Sequence, residues 1–201
     1  MIIFGEAKNN HYIYTFSQQF PESLLTKGFF APKIGFMQNP FWVFFVCMGN
    51  IIRSPLAENL FLREIVKRGL ADRYAAASAG TDSYHVGQHP DARMRQVAAR
   101  RGFLYDGRAR QFERRDFDRF NLILVMDREN FSTVLTLART PQDSQKIHLL
   151  REFDPQGGPG FEVPDPYYGG ADGFERVYEI VERSVIGVVD ALETGKIGSN
   201  S

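Results

Sequence analysis

The amino-acid sequence predicts an α/β protein: a doubly wound, four-stranded parallel sheet with helices on both faces, in a single domain behind an N-terminal extension. Three observations carry that prediction. Residues 41–46, Phe-Trp-Val-Phe-Phe-Val, form a continuous apolar run of the kind a strand buried on both faces requires. Strand-like and helix-like segments then alternate to the end of the chain, the pattern of parallel βα units. A length of 201 residues suits one such domain with an appendage, and no apolar segments remain for a second core.

Residues 1–40 read differently, with polar stretches such as Lys8-Asn9-Asn10-His11 and Gln18-Gln19. Nine of the 18 phenylalanines lie in the first 45 positions, yet no period organises them into a core face. The segment is expected to be an extension, ordered only where its aromatics cover a surface, or else the product of a translation start placed too far upstream.

The first strand is followed by a polar, glycine-containing turn from Cys47 to Arg53. Ser54-Pro55 is expected to open a helix, with Ser54 as N-cap and Pro55 at the first helical position, where its missing N–H costs nothing. Leu56, Leu60 and Ile65 give that helix a buried side until Gly69 stops it. A second strand is expected over residues 74–79, a helix over 91–101 ended by Gly102, and a third strand over 122–126. Asp127 caps a helix through Val134 and Leu137, residues 147–150 form a short fourth strand, and 173–193 form a long last helix. Phe174, Val177, Val181, Val185 and Val188 repeat at helical spacing on its apolar side. The domain thus spans 41–195, with a flexible tail over 196–201. In such a sheet ligands bind beyond the carboxyl ends of the strands, which directs attention to the turn after the first one.

Charge and cysteine usage exclude several function classes. With 24 basic and 24 acidic side chains, the chain has no electrostatic reason to bind nucleic acid or an anionic membrane. Its arginines crowd between Arg93 and Arg128, but Asp106, Glu113 and Asp116 intersperse, so the stretch reads as a solvated mixed-charge surface. No apolar run is long enough to span a membrane, and no basic-then-apolar leader precedes a cleavage site, so a cytoplasmic location is expected. The single cysteine, Cys47, excludes an intramolecular disulfide, a cysteine-rich zinc site or an iron–sulfur cluster held by this chain alone. His85, His89 and His148 are too scattered for a metal triad, and neither metal nor cofactor is expected.

Cys47 stands at the end of the first strand, with Arg53 six residues later and immediately before the helix. A loop between a buried strand and a helix N-terminus aims its backbone N–H groups inward, and the helix dipole adds partial positive charge. Such a turn cradles oxyanions. Arg53 adds a planar fork matched to two phosphate oxygens, and the same field favours the thiolate form of Cys47. The expected chemistry is a nucleophile facing a phosphoryl group.

The run Cys47-Met48-Gly49-Asn50-Ile51-Ile52-Arg53-Ser54-Pro55 resembles the phosphate loop C-x-G-N-x-C-R-S-P of the low-molecular-weight protein tyrosine phosphatases, matching every fixed position but one. Ser78-Ala79-Gly80-Thr81, Pro90-Asp91-x-Arg93, Ala109-Arg110-Gln111, Val125-Met126-Asp127 and Asp165-Pro166-Tyr167-Tyr168-Gly169 match further segments in the family's order. The resemblance implies hydrolysis of phosphotyrosine monoesters through a cysteinyl-phosphate, with phosphotyrosine proteins or small aryl phosphates as substrates and inorganic phosphate as product. It implies that Cys47 attacks phosphorus while Arg53 and the loop residues Met48, Gly49, Asn50, Ile51 and Ile52 hold the oxygens. Asp165 takes the place of the general acid, which an adjacent phosphate dianion keeps protonated. Ser54 is expected to donate to the Cys47 sulfur, Asn50 to brace the loop with Ser78, and Tyr84, Tyr167 and Tyr168 to wall the substrate pocket.

Two positions depart from the family. Ile52 stands where many members carry a second loop cysteine, so Cys47 is expected to oxidise irreversibly under peroxide. Gly107 stands where many carry a histidine that supports the loop. These departures leave room for a phosphate- or phosphotyrosine-binding module with weak or no turnover. Phosphoarginine hydrolysis is a further alternative, although members with that activity carry threonine where this chain has Ile51. Arsenate reduction on the same fold needs further cysteines, which the chain lacks.

Overall fold

The computed structural model describes residues 40–158, 160–167 and 169–197. A division after Phe36 separates Met1–Phe36 from Met37–Ser201. The expected extension therefore falls almost wholly outside the described residues, as do Tyr168 and the end of the tail.

Along the chain lie β1 (Phe41–Cys47), α1 (Arg53–Lys67), β2 (Tyr74–Gly80), α2 (Ala92–Arg100) and β3 (Leu122–Val125). Then come α3 (Arg128–Leu137), α4 (Pro141–Gln145), β4 (Ile147–Leu149) and α5 (Ala171–Glu193). Short 3-10 turns occupy Arg114–Asp118 and Leu150–Phe153. The four strands are all parallel and lie in the order β2-β1-β3-β4.

The apolar run of β1 divides by its period of two. Val43, Phe45 and Cys47 join a core with Leu56 and Leu60 of α1, Val97 of α2 and Val181 of α5. Phe44 and Val46 join the opposite core with Ile123 and Val125 of β3 and Val134 of α3. Phe44 and Phe45 are fully buried, and each contributes about 1.5–3 kcal/mol by leaving water. Helices on both faces are thus a consequence of a strand with no polar side.

Several boundaries differ from expectation. Ser54 is not the N-cap of α1: the helix starts at Arg53 and Ile52 is the cap, with no side-chain cap bond. The Ser54 hydroxyl is engaged elsewhere, as described below, and Pro55 is tolerated at the third helical position because that N–H also lacks an intrahelical partner. β2 runs one residue further, to Gly80, while β3 and β4 each stop one residue early, at Val125 and Leu149. Leu150 passes into a 3-10 turn. The helix α4 was not anticipated, since five residues carry no apolar period; its signal was the Thr140 cap, which accepts from the Asp143 N–H. Gly69 does end α1 as expected: with φ of 71° it lets its own N–H reach Val66 O and that of Leu70 reach Ile65 O.

Register places the site. Cys47 pairs with Gly80 and Val46 with Val125, so the carboxyl ends of β1, β2 and β3 are level. From β1 the chain moves first to one neighbour and later to the other, and the crevice of an open α/β sheet lies at such a reversal. Gly80 closes the gap there: a Cβ on it would sit 2.5 Å from the Met48 carbonyl oxygen, so only glycine lets the end of β2 lie against the turn after β1.

Candidate active site

The turn after β1 is buried except at Met48 and Gly49 and is held by hydrogen bonds along its length. Cys47 is 2% exposed, and its sulfur accepts the Asn50 N–H at 3.3 Å and lies 3.1 Å from Ser54 Oγ. The Cys47 and Met48 carbonyls accept the N–H groups of Thr81 and Asp82, which anchors the turn to the segment after β2. Ile51 and Ile52 turn their side chains into the core, whereas Met48 is exposed at the rim. No side chain caps the start of α1 and no acid lies in its first turn, so its free N–H groups and positive dipole end are available to an anion.

Asn50 is the hub of the turn. Its φ of 53° lies in the left-handed region, costly for most residues but tolerated by asparagine. Its amide nitrogen donates to Ser54 Oγ at 2.9 Å and Ser78 Oγ at 2.8 Å, while its amide oxygen accepts the Arg110 N–H at 2.9 Å. Arg110 is itself held by a two-point bond to Asp116 and by stacking over the Phe44 ring. The Ser78 hydroxyl donates in turn to Glu58 Oε2 of α1 at 2.6 Å. Burial pushes the Glu58 carboxyl up to about 7, against the Ser78 hydrogen bond and the Arg110 charge, which act the other way. The expected pairing of Asn50 with Ser78 is present, and Glu58 is an addition that sequence reasoning missed. Its only signal was its place on α1 one turn beyond Ser54.

Arg53, 3% exposed, is shared by two carboxylates from distant segments. One nitrogen, Nη1, donates to Asp127 Oδ2 at 2.5 Å and to Val163 O at 3.2 Å; the other, Nη2, donates to Asp165 Oδ2 at 2.7 Å. Burial alone would lower the Arg53 pKa, but the Cys47 sulfur, Asp165 and Asp127 outweigh it and hold the guanidinium above its ordinary value. The second oxygen of Asp127 caps α3 through the Asn130 N–H at 2.7 Å. The sequence marks Asp127 as that cap and as part of the matching segment Val125-Met126-Asp127, but gives no sign of its bond to Arg53. The second oxygen of Asp165 accepts the Tyr167 N–H at 3.0 Å, and the Asp165 side chain remains 39% exposed.

Around the mouth, Tyr84 stands 83% exposed and Tyr167 38% exposed. The neighbour of Tyr84, His85, lies against the loop: a Cβ on Gly49 would sit 2.9 Å from its ring, which is 6.4 Å from the Tyr167 ring. Tyr168 lies outside the described residues, and a Cβ on Gly107 would meet nothing within 4 Å. Among the described residues, no three His, Cys, Asp or Glu side chains gather to hold a metal ion, and no helix is long and apolar enough to cross a membrane.

Residues 42–196 match the family model described as low molecular weight phosphotyrosine protein phosphatase. A low molecular weight protein-tyrosine-phosphatase from Streptomyces coelicolor is 42% identical over 151 residues, 75% of this chain and 92% of that relative. Among solved structures, a protein tyrosine phosphatase from Entamoeba histolytica superposes with a TM-score of 0.74 at 41% identity, covering 78% of this chain and 99% of that one. A drosophila arginine phosphatase superposes with a TM-score of 0.69 at 32% identity, covering 75% and 97%.

Proposed function

The chain belongs to the low molecular weight phosphotyrosine protein phosphatase family, and on that premise we propose that it hydrolyses phosphotyrosine and other aryl phosphates with Cys47 as nucleophile and Asp165 as general acid. The observation that carries this reading is the convergence of Cys47, Arg53 and Asp165, through the Arg53–Asp165 bond, at the open end of the first helix.

The phosphoryl group enters the cradle of loop N–H groups, and Arg53 exchanges its carboxylate partners for two equatorial oxygens. The Cys47 thiolate forms a bond to phosphorus as the bond to the phenolic oxygen breaks, and Asp165 gives its proton to that oxygen. Ser54 has a defined part in this step. Asn50 fills a lone pair on its hydroxyl, leaving the proton to choose between the Cys47 sulfur at 3.1 Å and the Ala79 carbonyl at 3.2 Å. Negative charge on sulfur draws that proton and stabilises the thiolate both as attacker and as leaving group. In the second step Asp165, now ionised, takes a proton from water as its oxygen attacks phosphorus. The thiolate is regenerated and inorganic phosphate leaves. A nucleophile of this kind must stay reduced, which fits a cytoplasmic location.

Phosphoarginine is the competing substrate class, given the similarity to an arginine phosphatase. Members with that activity carry threonine where this chain has Ile51, whose apolar side chain is 8% exposed and offers a guanidinium no hydroxyl. The test is phosphate release from matched phosphotyrosine and phosphoarginine peptides. Preference for phosphotyrosine, abolished by Cys47→Ser, is expected. Preference for phosphoarginine would overturn the substrate assignment, and equal inactivity of wild type and Cys47→Ser with retained phosphate binding would overturn the enzyme assignment.

A further inference from the structure

Arg93, in the first turn of α2, joins the two loops of the active site without touching either the nucleophile or the acid. Its guanidinium forks onto Asp91, Nε to Oδ1 at 3.1 Å and Nη2 to Oδ2 at 2.7 Å. The remaining edge, Nη1, donates to the backbone carbonyl of Tyr167 at 3.2 Å. The same planar group lies over the Phe174 ring, 4.6 Å from its centroid, and over the Tyr167 ring at 5.4 Å. At one end of this arrangement the Asp91 N–H donates to the Ile51 carbonyl of the phosphate loop at 2.7 Å. At the other, the Tyr167 N–H donates to Asp165 Oδ1 at 3.0 Å. A continuous path therefore runs from Ile51 through Asp91, Arg93 and Tyr167 to Asp165.

A second tie between the two loops runs through Arg53, which donates to Asp165 and to the Val163 carbonyl. That tie is interrupted in use, because the phosphoryl oxygens compete for the Arg53 fork when Asp165 must stand at a set distance from the leaving oxygen. On the Arg93 path the joining groups, the Asp91 carboxylate, the Arg93 guanidinium and the Tyr167 backbone, are not ones assigned to hold the phosphoryl oxygens.

We propose that Arg93 is a positioning residue for proton transfer, holding Asp165 in register with Cys47 once Arg53 has turned to the substrate. The proposal rests on the reading of Asp165 as general acid. The Arg93 side chain is 48% exposed, and exposed ion pairs contribute little to stability, so its loss is read in the chemistry rather than in folding. Lysine keeps the charge but lacks the planar fork that holds Asp91 and Tyr167 together.

The test compares kcat/KM for two small aryl phosphates. Phenyl phosphate has a poor leaving group that needs the proton, and dinitrophenyl phosphate has a leaving group that departs without one. Arg93→Ala is expected to lower the phenyl phosphate value roughly tenfold to hundredfold, to leave the dinitrophenyl phosphate value within about threefold, and to leave the melting temperature unchanged. Arg93→Lys is expected to recover only part of the loss. Asp165→Ala, measured in parallel, is expected to show the same selectivity with a larger amplitude. Equal losses on both substrates for Arg93→Ala, or none on either, would overturn the role of Arg93 while the selective loss in Asp165→Ala upheld the acid. No selectivity in Asp165→Ala would overturn the acid assignment, and the Arg93 proposal with it.

Discussion

Residues 47–55 and residues 163–167 face each other across Arg53, and they are held in different ways. The first segment is contiguous, and Cys47, Asn50, Arg53 and Ser54 are each at most 3% exposed. Asn50 by itself bonds Ser54 within it and ties it to Ser78 and Arg110 outside it. The second is an irregular stretch whose acid is 39% exposed and bonded to one guanidinium and one backbone N–H. The difference matches the chemistry proposed for each. Donors that stabilise charge on phosphorus work best when they need no rearrangement, so the cradle is over-determined. A group that gives up a proton, takes one back and lets a substrate pass has to be reached by solvent.

Replacing the nucleophile tests the comparison most severely. Cys47→Ser is expected to reduce aryl phosphate turnover to background while inorganic phosphate, followed by calorimetry, still binds, because the cradle of N–H groups and Arg53 is intact. Loss of both would show that the sulfur organises the loop as well as attacking from it.

Next in size is the acid. Asp165→Ala is expected to slow phosphotyrosine hydrolysis about 100- to 1,000-fold with little change in melting temperature. Inorganic phosphate should bind at least as tightly, since Arg53 loses one competing carboxylate. A large fall in stability would contradict the view of this segment as lightly held.

Asn50→Ala addresses the opposite side. It removes the bonds to Ser54, Ser78 and the Arg110 N–H and leaves alanine at a φ of 53°, so a loss of about 2–4 kcal/mol in denaturant unfolding is expected. Activity should fall with it. Unchanged stability would mean that the loop is not held through this hub.

The smallest effect is a pH dependence at Glu58. Its carboxyl sits at about 7 in the folded protein, above the ordinary 4.5, so the native state binds the proton more tightly than the unfolded chain. Stability therefore falls as pH rises from about 4.5 to about 7, by on the order of 1–3 kcal/mol. Glu58→Gln removes that fall. Unfolding of both proteins at pH 5 and pH 8 checks it, and an equal gap between them at the two pH values would assign the dependence to another group.

The nucleophile loop was legible in the sequence because its geometry is local. A strand without a polar side, a turn, and a helix start are each set by neighbours a few residues away, so Cys47, Asn50, Arg53 and Ser54 could be named from spacing and motif. The misplacement of the N-cap on Ser54 shows the limit of that reasoning. A serine before proline satisfies the capping rule, yet the hydroxyl has a stronger claim from Cys47 and Asn50 in the folded site. Glu58 went unread, and His85 was weighed only as a metal ligand, for a related reason: each gains its meaning from a residue that no periodicity connects to it, Ser78 in one case and Gly49 in the other.

The sequence by itself determined the class of fold, the order along the chain of its strands and of every helix but α4, and the choice of Cys47 and its loop as the proposed site of attack. Only the tertiary structure decided what surrounds Arg53, since Asp127 and Asp165 lie 74 and 112 positions away. It also decided that Arg93 spans 74 positions to reach the acid segment. Hydrophobic periodicity and turn chemistry act between near neighbours. Charge pairing across a parallel sheet depends on which strand ends come level, and that is settled only when both faces of the sheet are packed.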